Sequence, residues 1–155
     1  IENNNIYDAF KEIYKKKFFF ISRGDNSGTH KKESNLWKDL NLEIDPRRDS
    51  WFLETGSGMG SSLNVAVNKN AFILTDRATW LSFNNKRDHV VIVERDNNLF
   101  NYYGIIPINP EKCPNSKIEL SEKFINWLLS DYGQELINSF EKNGEQLFFG
   151  NYKKN

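Results

Sequence analysis

Residues 18–29, Phe-Phe-Phe-Ile-Ser-Arg-Gly-Asp-Asn-Ser-Gly-Thr, leave a folding chain few choices. The bulky run Phe18–Ile21 is consistent with a strand covered on both faces, as in a parallel sheet flanked by helices. It breaks at Ser22 and Arg23 into Gly24, Asp25 and Asn26, which favour a turn. Ser27 and Thr29 are then suitable caps for a helix running through His30 to Trp37. The first turn of such a helix leaves N–H groups unpaired at the positive end of its dipole, where anions are attracted. Gly28 lets a ligand approach the backbone, and Arg23 adds a charged, planar fork of donors. An ordinary capped junction beside a surface arginine fits the same residues. Donors gathered without a nucleophile and its base point to binding rather than turnover.

The pattern recurs. Trp51–Glu54 reads as a short strand entering Thr55-Gly56-Ser57-Gly58-Met59-Gly60, with Met59, Leu63, Ala66 and Val67 continuing as a helix. No P-loop lysine follows the last glycine and the dinucleotide spacing is absent, which argues against a nucleotide site. Thr55 stands where a nucleophile elbow needs glycine. Ser57, Gly58 and Met59 thus form either a second group of donors or a tight packing turn. Ala71–Leu74 is a third strand, after which Thr75 or Asp76 caps a helix carrying Ala78, Trp80, Leu81 and Phe83. Asp76 and Arg77 fit a cap and a surface or inter-loop ion pair better than ligand groups. Three strand-then-cap steps predict an α/β fold with a mostly parallel sheet flanked by helices. Right-handed crossovers then bring all the helix starts to one sheet edge.

Elsewhere, Ile6, Ala9, Phe10, Ile13 and Tyr14 predict a helix capped by Asn5, ending in a solvated Lys15-Lys16-Lys17. Trp37 is expected in the core and Asn41–Asp49 in a loop. His89–Glu94 reads as a buried strand, and Tyr102–Pro110 as an extended crossing segment. Leu120, Phe124, Trp127 and Leu128 make one helical stripe, and Leu136, Ile137 and Phe140 another, with Gly144 as the stop.

Twenty-one basic and twenty-one acidic residues cancel, so the chain lacks the electrostatic footprint that nucleic acid requires. Cys113 is alone, which rules out an intramolecular disulfide and a cysteine-rich metal site. His30 and His89 sit in no metal or nucleophile motif and read as surface histidines. No catalytic residue, metal or cofactor is expected. No apolar run approaches the roughly 18 residues of a spanning helix. The first residue is not Met and no signal peptide is evident, as in a mature or truncated chain, which leaves export open.

The spacing Arg-x-Asp-x-Ser-Gly-Thr at 23–29 resembles the oxyanion motif in the second lobe of periplasmic phosphate-binding proteins. Together with Glu54–Gly60, Leu74–Trp80 and Asn143–Phe149, the segment Ser22–Glu33 is similar to the tungstate-binding proteins of bacterial ABC importers, in the type II periplasmic-binding-protein family. The Thr/Ser-rich loop that this family carries near its mature N-terminus is absent, so the chain looks like the later part of such a protein. The resemblance implies an extracytoplasmic, non-enzymatic solute-binding protein that passes tungstate, or molybdate, to a membrane permease. Phosphate binding is the alternative, and an enzyme acting on a small phosphorylated substrate a weaker one. It implies oxyanion contacts from Arg23, Ser27, Gly28, Thr29, Ser57, Gly58 and Met59, supported by Asp25, Asp76 and Arg77. Residues 1–101 would form a second lobe, and 102–155 a return segment and C-terminal helices.

Such a chain on its own is expected to bind oxyanions weakly, because donors on one side of a cleft leave water competing for the ligand. Apolar residues from Tyr102 to Pro110 and on the Leu120/Phe124/Trp127 stripe should drive self-association, by exchange of the C-terminal helices. Analytical ultracentrifugation of the 155-residue chain checks this. A strict monomer with micromolar tungstate affinity would contradict it.

Overall fold

The computed structural model describes residues 5–152. The chain divides into two compact units at Phe100–Asn101. In the first, helix α1 (Ile6–Lys16) precedes strand β1 (Phe20–Ser22), followed by α2 (Gly28–Asp39), β2 (Phe52–Glu54), α3 (Met59–Lys69), β3 (Phe72–Ile73) and α4 (Arg77–Ser82). The strands are parallel in the order β2-β1-β3, with Phe20 opposite Phe52 and Phe72, and Ser22 opposite Glu54.

β1 is buried at every residue because its alternate side chains face different helices. Phe20 enters an aromatic cluster with Phe10 of α1 and Trp37 of α2, where the Phe10 and Trp37 rings lie 4.2 Å apart. Its register partner Phe52 stacks on it at 5.7 Å. Ile21 faces the other way, onto Ala66 of α3. Helices thus cover both faces of the sheet, as the apolar run predicts.

The predicted strand starts too early. The helix α1 ends with Lys17 in the left-handed region, and the Phe18 N–H donates to the Ile13 carbonyl at 3.2 Å. Phe18 therefore belongs to the helix cap, and the ladder begins only at Phe20. Lys17 is not simply solvated: its ammonium lies 3.7 Å from the centre of the Tyr14 ring.

A larger departure is His89–Glu94, which is irregular, with Val90 73% exposed. Its β-branched composition suits a strand, but among the described residues no neighbouring ladder takes its N–H and C=O groups. Only Val93 packs on the core, while Glu94 is held by Arg77.

The second unit contains α5 (Ile118–Leu128), α6 (Asp131–Asn138) and the hairpin β4 (Glu141–Lys142) and β5 (Glu145–Gln146). Asn143 and Gly144 both have positive φ, 55° and 76°. Gly144 is thus half of a two-residue hairpin turn rather than a helix stop, and Asn-Gly is the pair that such turns favour. On α5, Leu120, Phe124 and Trp127 are all exposed.

Glu33 is an acid in the core of the first unit, 2% exposed on α2. Burial pushes its carboxyl up to about 8, and the Glu54 charge acts in the same direction. The Ser22 hydroxyl and the Trp37 indole N–H pull the other way, yet neither closes a well-formed hydrogen bond. A Glu in the unfolded chain ionises near pH ~4.3. The folded chain therefore holds an extra proton between that pH and about 8, and stability falls as pH rises through this window. Glu33→Gln removes the ionisation, so its thermal midpoint relative to the parent should climb from about pH 5 to about pH 8. A constant difference across that range would show that Glu33 is charged in the folded state.

Candidate functional site

Because the three strands are parallel, the segments leaving Ser22, Glu54 and Ile73 emerge at the same sheet edge. The first of these, residues 23–27, is set by two left-handed residues, Gly24 at φ 60° and Asn26 at φ 58°. At Gly24 a side chain has no room, since a Cβ would stand 2.9 Å from Cβ of Glu54. Ser27 caps α2 by accepting the His30 N–H on its hydroxyl at 3.3 Å, as its position predicts; Thr29 lies inside the helix. The Gly28 and Thr29 amides take no partner among the described residues, and the space beside Gly28 is open.

Asp25 is fully engaged. One carboxylate oxygen accepts the Ser27 N–H at 3.2 Å and the other accepts from the Arg23 guanidinium. The Ser27 hydroxyl and N–H, with the Arg23 charge beside them, hold its carboxyl down to about 2. Arg23 is 16% exposed, and its Nε–H is buried without a partner. The guanidinium is thus oriented from one side and keeps a donor unspent.

The second loop is bonded to the first. The Thr55 N–H donates to the Ser22 carbonyl at 3.0 Å, while the Thr55 hydroxyl lies 3.4 Å from the Arg23 carbonyl and 2.7 Å from the Ser62 hydroxyl. Ser62 is fully buried and also reaches the Gly58 carbonyl at 3.1 Å. Ser57 turns both donors inward, its N–H to Thr55 Oγ1 at 3.3 Å and its hydroxyl to the Thr55 carbonyl at 3.2 Å. Gly58 and Met59 are therefore the open amides of this loop, and α3 starts without a side-chain cap. The Met59 side chain is buried, so only its backbone is available.

The third junction is different. Asp76 caps α4, accepting from the Thr79 N–H at 2.8 Å and the Thr79 hydroxyl at 2.7 Å. Arg77 reaches Glu94 at 2.9 Å. These bonds match the cap and ion pair read from the sequence.

Beside α2 lies a cleft of about 410 Å³, lined by Glu33, Glu43 and Glu54 together with His30 and Trp37. Glu43 and Glu54 make it no place for an anion, and Arg23, Ser27 and Ser57 do not border it. Among the described residues no cluster of acidic, histidine or cysteine groups is arranged to hold a metal ion.

Sequence reasoning overlooked Thr55 and Ser62, which join the two loops, and it took His30 for a surface residue. His30 is half-buried, and its Nδ1 accepts the Asn26 N–H at 3.0 Å. Its position three residues after the cap was the available signal, because a side chain there can reach back over the turn.

Comparison with known proteins agrees with this architecture. The chain is 44% identical to the tungstate-binding protein TupA of Peptoclostridium acidaminophilum over 97% of its own length and 52% of that relative's. The solved tungstate-binding protein TupA of Desulfovibrio alaskensis superposes with a TM-score of 0.84 at 39% identity, over 95% of this chain and 60% of that one. The structure described as the tungstate ABC transporter from Geobacter sulfurreducens gives 0.72 at 37%, over 86% and 56%. The chain thus spans little more than half of each of these relatives. The profile of a PBP superfamily domain matches residues 2–132, and with the parallel sheet flanked by helices it establishes that this chain belongs to the PBP superfamily.

Proposed function

We propose that the chain is the greater part of one oxyanion-holding lobe in the solute-binding component of an ABC importer, which captures tungstate, or molybdate, outside the cytoplasm and delivers it to a membrane permease. Residues 1–101 form that second lobe and 102–155 the return segment and C-terminal helices. The division of the chain at Phe100–Asn101 supports this partition. In this reading the protein binds and releases its ligand without transforming it, as the names of its relatives indicate.

The observation that carries the proposal is the bond from Thr55 N–H to the Ser22 carbonyl, which ties together two loops that each open a helix with unpartnered amides. Arg23 supplies the charge, Gly28 and Thr29 the amides of one helix start, and Gly58 and Met59 those of the other. The Ser27 hydroxyl adds a donor by turning from Asp25, and that of Ser57 joins it by rotating away from the Thr55 carbonyl. Asp25 orients the arginine, while Asp76 and Arg77 shape the third junction.

Asp25 and the open donors around it bear on selectivity. Phosphate retains a proton near neutral pH and benefits from an acceptor, whereas tungstate needs donors alone. Asp25 turns its two oxygens to Arg23 and Ser27, and the groups left open in the two loops are donors, which suits a fully deprotonated oxyanion.

Calorimetry of the full-length protein with tungstate, molybdate, sulfate and phosphate should show tungstate or molybdate bound most tightly. Hydrogen bonds to a charged group contribute about 1.5–3 kcal/mol, so Arg23→Ala should weaken binding from about tenfold to over a hundredfold. Unchanged oxyanion affinity in that variant would remove the hypothesis.

A further inference from the structure

His30 handles the loop that precedes it at two points. Its main-chain N–H donates to the Ser27 hydroxyl at 3.3 Å, and its ring Nδ1 accepts the Asn26 N–H at 3.0 Å. This is a reciprocal cap in which a residue at the third helical position reaches back past the cap residue, a task more commonly given to Glu or Gln. The bond falls on Asn26, whose left-handed conformation at φ 58° is uncommon outside glycine and needs support from its surroundings. An imidazole accepting at Nδ1 is neutral there and carries its proton on Nε2.

The amides of the loop are consequently divided between two uses. Asn26 N–H goes to His30 and Ser27 N–H goes to Asp25, while Gly28 and Thr29 stay open. Without an acceptor at His30, the Asn26 N–H loses its partner, and the turn that aims Arg23 and the following amides is held on either side of Asn26, by Asp25, by Thr55 at the Arg23 carbonyl and by the Ser27 cap, but not at Asn26 itself. A glutamate at this place would add a full negative charge beside the helix start, whereas a neutral imidazole accepts the same N–H without repelling an anion.

We infer that His30 is a positioning residue of the oxyanion loop, its Nδ1 fixing Asn26 so that Arg23 and the Gly28 and Thr29 amides stand ready for the ligand. The inference rests on the reading of this loop as the oxyanion site, and it assigns the residue a role beyond that reading.

The test uses the full-length protein, with calorimetric titration of tungstate into His30→Ala and His30→Asn. Asparagine places Oδ1 about where Nδ1 stands, so it should restore the bond that alanine removes. Loss of one neutral hydrogen bond corresponds to roughly threefold to tenfold weaker binding in His30→Ala, with His30→Asn within about twofold of the parent. Exchange of the Asn26 amide, followed by NMR without ligand, should quicken in the alanine variant and slow again in the asparagine variant. Unchanged tungstate affinity in His30→Ala, or an asparagine variant as weak as the alanine one, overturns the proposal. Failure of the unmutated protein to bind tungstate, molybdate or phosphate would instead overturn the oxyanion reading, and the exchange data would still decide whether His30 holds the loop.

Discussion

Parallel strands cannot be joined by a tight turn; each must be followed by a crossover that carries the chain back to the starting end of the sheet. With β1 paired to β2 on one side and β3 on the other, every strand in the first unit is followed by a helix that begins at the same edge. The arrangement of site residues follows from that geometry. Helix starts gather because strand ends gather, and their amides are exposed because the first turn of any helix has no partners of its own.

Much of this was legible in the sequence, since it depends on local chemistry. Apolar runs ending in Ser27 or Asp76 specify where a strand stops and a helix is capped, and both residues cap where expected. What the sequence could not resolve depended on partners far along the chain. Val90–Val93 has strand composition, but an extended segment becomes a strand only when another backbone meets it. Phe18 resembles its neighbours in composition and differs in what its N–H is bonded to. Asn143-Gly144 carries a hairpin signal of its own, and the expectation of a helix stop at Gly144 passes over the asparagine before it.

Within the candidate site, the residues nominated from sequence sit at the two joined loops, apart from Asp76 and Arg77 at the third junction, and the structure separates the open donors from those already engaged. Ser57 and Met59 illustrate the difference: the first directs its donors into its own loop and the second buries its side chain. The buried acid behind these loops was harder to see. Glu33, Leu36, Trp37 and Leu40 fall at the spacing of one helical face, which places Glu33 toward the core. A charged residue there looks like an interruption of the stripe until its burial reveals a protonated group.

The pairing of Arg23 with Asp25 also governs how far the loop's influence reaches. Side by side, the two charges nearly cancel when seen from a distance, leaving a dipole whose field fades over a few ångströms. The chain as a whole is likewise balanced, so it casts little attraction into bulk solvent. An anion meeting such a loop would feel its donors at contact rather than be drawn in from afar. Dissolved salt weakens attraction between charges more than about 10 Å apart, and contact donors in a partly buried loop are largely spared. For a loop of this kind in a chain without net charge, the rate at which anions arrive would depend little on dissolved salt, since there is little long-range attraction for salt to screen.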